Sequence, residues 1–74
     1  MPAISLPGLA ADLRARVARA ITFIEAVHAD SATQLERARS AGDSATASFY
    51  VGRMQGFDLA LCELRRLVGE DEQP

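Results

Sequence analysis

Apolar and small residues recur along this chain at helical intervals. Leu6, Leu9, Leu13, Val17, Ala20, Ile24, Val27, Ser31, Leu35 and Ala38 follow one another at steps of three and four. That is the period of one side of an α-helix. Ile21 and Phe23 widen the stripe, while Asp12, Arg16, Arg19, Thr22, Glu25, Asp30, Thr33 and Arg37 occupy the other side. The pattern predicts a helix over about 9–41, with Asp12 and Arg16 as a favourable pair one turn apart. Asp30-Ser-Ala-Thr is the place where this helix is open to interruption, because those residues suit a new N-cap. Residues 1–8 read as an irregular arm: Pro2 and Pro7 discourage a continuous helix, although Pro7 suits a first turn behind Ser5 as cap.

Ser40-Ala-Gly-Asp-Ser is a stop followed by a start. Gly42 fits the left-handed residue that ends a helix, and Asp43 fits the cap of the next. A turn over 42–43 makes the two helices antiparallel neighbours. In the second helix, about 44–68, Tyr50, Met54, Phe57, Leu61, Leu64 and Val68 alternate steps of four and three, forming a heptad seam. Residues 69–74 read as an acidic, disordered tail. The expected fold is therefore all-α, an antiparallel two-helix hairpin.

The second helix carries more apolar surface than a hairpin covers. Besides its seam, Ala45, Phe49, Gly52, Gly56, Leu59, Ala60 and Leu67 gather on another side. Only Ser48, Gln55, Asp58, Arg65 and Arg66 make a clearly polar sector, into which Val51 and Cys62 intrude. Gly52 and Gly56 each cost roughly 1 kcal/mol against alanine in a helix interior. Spaced by four, they open a strip where a neighbouring backbone can approach. The sequence thus predicts that hairpins associate, as a dimeric four-helix bundle or a higher oligomer, through Phe49, Gly52, Gly56, Leu59, Ala60 and Leu67. The other reading of the glycines is a bend in the helix.

Arg53 projects between the seam and the glycine strip. Three roles are open to it: stacking on Phe49 and Phe57, pairing with Glu25, Asp30 or Glu36, or meeting an anion together with Gln55 at a subunit boundary.

Composition narrows the field. The chain has 74 residues, enough for one domain, with a single cysteine and a formal charge of −2. So small a chain is marginal without a staple, a metal or a partner. One cysteine excludes an internal disulfide, and no Cys/His cluster suggests zinc. Charge is +1 over 9–41, zero over 43–68 and −3 over Glu70, Asp71 and Glu72. No global basic field favours nucleic acid. Arg14, Arg16 and Arg19 form a local basic cluster, which would contact phosphates but brings no helix-turn-helix spacing or aromatic platform with it. All eight basic residues are arginine, whose planar fork suits bidentate contacts. No apolar run has the length of a membrane span, and a basic signal-peptide n-region is absent; the expected location is the cytoplasm.

No constellation for catalysis stands out. His28 reads as a packing residue at the edge of the first stripe, and Cys62 as a buried or half-buried, inert thiol on a mostly apolar helix. Neither a phosphate loop nor a dinucleotide fingerprint occurs. The expected protein is not an enzyme and takes no metal or cofactor.

Tyr50, Gly52, Arg53, Gly56, Phe57, Ala60, Leu61 and Leu64 together resemble the second helix of short helical-hairpin accessory proteins carried by phages and prophages. The resemblance covers about a quarter of the chain. It implies a regulator or inhibitor that acts by binding another protein. The tryptophan-glycine turn of secreted helical-hairpin effectors is absent, the turn here being Ala41-Gly42-Asp43. The leading functional reading is a homo-oligomeric protein-interaction module. The alternatives are an anionic-ligand or nucleotide binder at the subunit boundary, through Arg53 and Gln55, and a nucleic-acid binder through Arg14, Arg16 and Arg19.

Overall fold

The computed structural model describes residues 6–69, with side chains from Ala10 onward. It is an antiparallel pair of helices, α1 (Leu6–Ser40) and α2 (Ser44–Leu67), packed along one seam. Helix α1 starts three residues before the position the pattern indicates, so Pro7 lies in its first turn, where the missing N–H costs nothing. The expected cap Ser5, the rest of the N-terminal arm and the acidic tail from Glu70 lie outside the described residues.

Helix α1 runs unbroken through Asp30. The local capping chemistry is diverted there. The Thr33 hydroxyl donates to the Ala29 carbonyl inside the helix, and the Ser31 hydroxyl is turned into the seam. Neither competes for the backbone N–H groups that a new start would need to cap.

The turn follows the sequence signal closely. Gly42 has φ of 70°, the left-handed conformation that a Cβ would strain. Its N–H donates to Arg39 O at 3.1 Å, and the Asp43 N–H donates to Ala38 O at 2.9 Å. These two bonds are the Schellman pattern that satisfies the last carbonyls of a helix. Asp43 then caps α2, its carboxylate accepting from the Thr46 N–H at 3.1 Å. At the far end Gly69 repeats the left-handed stop, with φ of 80° and its N–H on Arg66 O.

The seam is thin. Among the described side chains Ile21, Leu35, Ala38 and Leu61 are its buried apolar residues, joined by Ser31, which is 1 % exposed. Tyr50, Met54, Phe57, Leu64 and Val68 are half-buried around them, as their heptad spacing requires. Helix α1 has 35 residues and α2 has 24. At about 1.5 Å per residue the first overhangs the second by roughly 16 Å. Leu13 lies on that overhang. It shares an open depression with Val17 and Leu67 and stays 53 % exposed although it belongs to the core stripe.

The Asp43 cap makes a pH-dependent contribution. Hydrogen bonds from the Thr46 side chain and backbone hold its carboxyl below the usual carboxylate range. A carboxyl lowered in the folded state stabilises fully above its unfolded value, near pH 4, and the gain disappears as pH falls through the lowered folded value. Asp43→Ala should therefore lower the melting temperature at pH 7. The gap from wild type should narrow as the pH is taken below 4, while Asp43→Asn, which still caps, stays close to wild type at pH 7. Circular-dichroism melts across that range measure it.

Candidate interaction face

The hairpin has two flanks, and contacts between the helices identify which residues belong to each. On one flank the Arg65 guanidinium meets the Glu25 carboxylate at 2.6 Å. Close by, His28 Nε2 lies 3.0 Å from Asp58 Oδ1. That distance suits an ion pair, but the ring does not aim a hydrogen bond at the carboxylate. His28 is thus the core-edge residue the sequence suggests, with a carboxylate neighbour supplied from thirty residues away. Arg39 and Glu36 pair within α1 on this flank as well. Apart from Val51 and Cys62, it is small or polar. Ion pairs this exposed contribute at most about 1 kcal/mol each, so they fix register more than they hold the hairpin together.

The opposite flank is marked by Arg53. Its Nε donates to the Ser31 hydroxyl at 3.3 Å, and its guanidinium lies over the Phe57 ring, 5.0 Å from the centroid. Of the roles open to it in the sequence, stacking on Phe57 is realised within the single chain. The link across the hairpin goes to Ser31. No carboxylate among the described residues lies within ion-pair distance of Arg53.

With about 100° between successive residues, the side of α2 carrying Arg53 also carries Phe49, Gly56, Ala60 and Leu67. They form a second heptad run beside the seam. On α1 the side that carries Ser31 toward Arg53 continues into Arg16, Ala20, Phe23, Val27, Asp30 and Gln34, again at steps of four and three. The α1 run is hidden in the sequence because Asp30 and Arg16 give it the character of solvent surface. Phe23, which also widens the core stripe, is its signal.

This flank is open in the single chain. Phe23 is 67 % exposed, Phe49 59 % and Leu67 71 %. Phe49 meets the Tyr50 ring edge-on, with centroids 5.0 Å apart, but turns its other face outward. A Cβ added at Gly56 or Gly52 would meet nothing within 4 Å. Neither glycine is required by packing inside the hairpin, and α2 continues through both without a break. Gly52 and Leu59 stand further round, on the outer back of α2, where Leu59 is 71 % exposed. The expected association residues thus fall into two neighbouring groups, Phe49, Gly56, Ala60 and Leu67 on the flank, and Gly52 and Leu59 behind them.

The other candidate groups are dispersed. Arg53 and Gln55 lie on different sides of α2. Gln55 lines an open depression near the turn with Arg39, Asp43 and Gly52, in which Arg53 takes no part. Arg14, Arg16 and Arg19 fan out around α1. Arg16 is paired with Asp12 at 3.2 Å, Arg14 borders the depression beside Leu13, and Arg19 that beside Phe23. Cys62 is exposed. Among the described residues no group of three or more potential metal ligands gathers, and no helix is long and apolar enough to cross a membrane.

Neither protein-family models, nor curated proteins, nor solved structures yield a match to this chain.

Ser31 should tolerate removal of its hydroxyl but not added bulk. Arg53 is exposed and can turn to water, so Ser31→Ala should change stability by less than about 1 kcal/mol. Ser31→Leu should lose about 1–3 kcal/mol by overfilling the seam beneath the guanidinium. Urea titrations of the two variants test this reading.

Proposed function

We propose that this protein is a homo-oligomeric helical interaction module that works by binding. The observation carrying the proposal is the open flank. Phe23, Phe49 and Leu67 are exposed along the same side of a hairpin whose buried apolar core, among the described side chains, amounts to Ile21, Leu35, Ala38 and Leu61. Exposing several large apolar side chains on one face is costly in water and marks an interaction surface. A chain of this size commonly obtains the rest of its core from a partner. The glycines agree with this. An exposed helix gains roughly 1 kcal/mol from each Gly→Ala change, so glycine at positions 52 and 56 is an expense that the isolated hairpin does not need.

In the assembled form Gly52 and Leu59, on the back of α2, are the surface left to face a different protein. A regulator or inhibitor of the phage accessory kind fits such a module, since no catalytic group is called upon. Anion binding is the weaker reading because Arg53 and Gln55 do not converge. Nucleic-acid binding is weaker still because the three arginines of α1 diverge.

Sedimentation of the wild-type chain should give a mass of two chains or more at micromolar concentration; a single-chain mass at 100 µM removes the proposal. Gly56→Ala sharpens the test. On a free surface the substitution raises the melting temperature by helix propensity alone. In a close contact it weakens assembly, and the sedimentation midpoint moves to higher concentration.

A further inference from the structure

The open flank carries an acid without an ion pair, Asp30, on α1 and an arginine without a carboxylate, Arg53, on α2; Arg19 and Arg37 also lack an ion pair, but they stand on the same helix as Asp30 and further toward its outer side. Asp30 is the single acid among the described residues with neither an arginine or histidine within ion-pair distance nor a capping role. Asp12, Glu25, Glu36 and Glu63 each pair with an arginine, Asp58 lies beside the His28 ring, and Asp43 caps α2. Arg53 is the one arginine of α2 without a carboxylate. The two occupy opposite helices of the same flank. Because Arg53 bonds to Ser31, the residue after Asp30, they also sit at nearly the same level along the hairpin. Their charges are not spent on each other within the chain. Asp30 leans to the outer side of α1, while Arg53 is drawn over Phe57 and onto Ser31.

We infer that the occupant of this flank is a second copy of the chain, related by a twofold axis parallel to the helices, with Arg53 of each protomer pairing with Asp30 of the other. This rests on the oligomeric reading above and specifies its geometry. A twofold axis along the hairpin lays α2 of one protomer over α1 of its partner without changing level. Arg53 then arrives where the partner presents Asp30, and the relation holds in both directions, as a self-complementary interface requires. All neighbouring helices are antiparallel in that bundle. Turning the axis across the hairpin instead stacks α1 on α1 and α2 on α2. At the level where the polar residues meet, that arrangement sets arginine against arginine and aspartate against aspartate.

Size and chemistry agree with this occupant. A face about 36 Å long and two helices wide offers roughly 700 Å² per protomer, close to the ~800 Å² each partner gives to a standard interface. Phe23 and Phe49 bring large apolar area, and Gly56 and Ala60 leave room for it. Arg53 comes to the pairing already stacked on Phe57 and held at Nε, which leaves its terminal nitrogens for a carboxylate.

Sedimentation of charge variants tests the geometry. Asp30 has no partner in its own chain, so Asp30→Arg should leave helicity intact while raising the dimer dissociation constant by about tenfold or more. Arg53→Asp should do the same, and the double variant should recover to within a few-fold of wild type. Circular dichroism confirms that each variant is folded. A wild-type dimer that neither single variant weakens overturns this arrangement but leaves the oligomer standing; a wild-type monomer removes both. Spin labels at Ala41, with Cys62→Ser, provide a second readout independent of those variants. The proposed axis puts both turns at one end of the bundle, within about 25 Å. Turns at opposite ends, at about 35 Å or more, overturn it.

Discussion

Two antiparallel helices can bury only the stripe that each turns toward the other, and here that stripe is narrow. Ile21, Leu35, Ala38 and Leu61 lie deep in it, and an alcohol, Ser31, is its most buried side chain. Everything else about the molecule follows from what those few residues leave undone. The short loop, with its Schellman bonds and Asp43 cap, brings the helices together without strain, but it adds no apolar burial. The ion pairs on the polar flank are too exposed to make up the difference. What remains is the second pair of heptad runs beside Arg53, where the larger apolar side chains point outward.

Much of this was legible in the sequence, for identifiable physical reasons. The turn was readable because glycine with positive φ and an aspartate cap are strong local signals that depend on few neighbours. The α2 seam was readable because six residues from Tyr50 to Val68 keep a heptad period. Other features depend on the partner helix and were not. Ser31 looked like part of a helix break because its hydroxyl is a local competitor for backbone bonds. Arg53, more than twenty residues away, occupies that hydroxyl instead. The Asp58 carboxylate beside His28 and the Arg65 contact with Glu25 likewise require the register of the hairpin. Leu13 shows the reverse error of periodicity, since it keeps the core spacing on a stretch of α1 that α2 is too short to cover.

The candidate surface was half legible. The α2 side could be drawn from Phe49, Gly56, Ala60 and Leu67 alone, but its partner run on α1 could not, because Asp30 and Arg16 look like solvent residues when only one helix is considered. Placing α1 against α2 turns Asp30 from an ordinary surface charge into the opposite of Arg53 on one flank. It also divides the earlier set, leaving Gly52 and Leu59 behind the flank. An apolar surface that continues around the back of a helix is more than one symmetric contact uses, which is why the proposed module is given a second partner besides its own copy.

The placement of Arg53 also bears on specificity. An apolar flank by itself would accept many registers, since one heptad step differs little from the next. A buried or half-buried ion pair adds little net affinity over apolar packing. Its effect is to penalise arrangements that leave either charge unpaired. In the proposed dimer, one arginine and one aspartate at a common level among Phe23, Phe49, Phe57 and Ala60 would act as a device for choosing orientation and register more than as a source of affinity. The same reasoning accounts for Ser31. Its small side chain at the seam lets Arg53 lie close across the hairpin, and its hydroxyl helps hold the guanidinium over Phe57 within the single chain. Under the proposed pairing, less side-chain entropy would then be lost when a partner carboxylate docked.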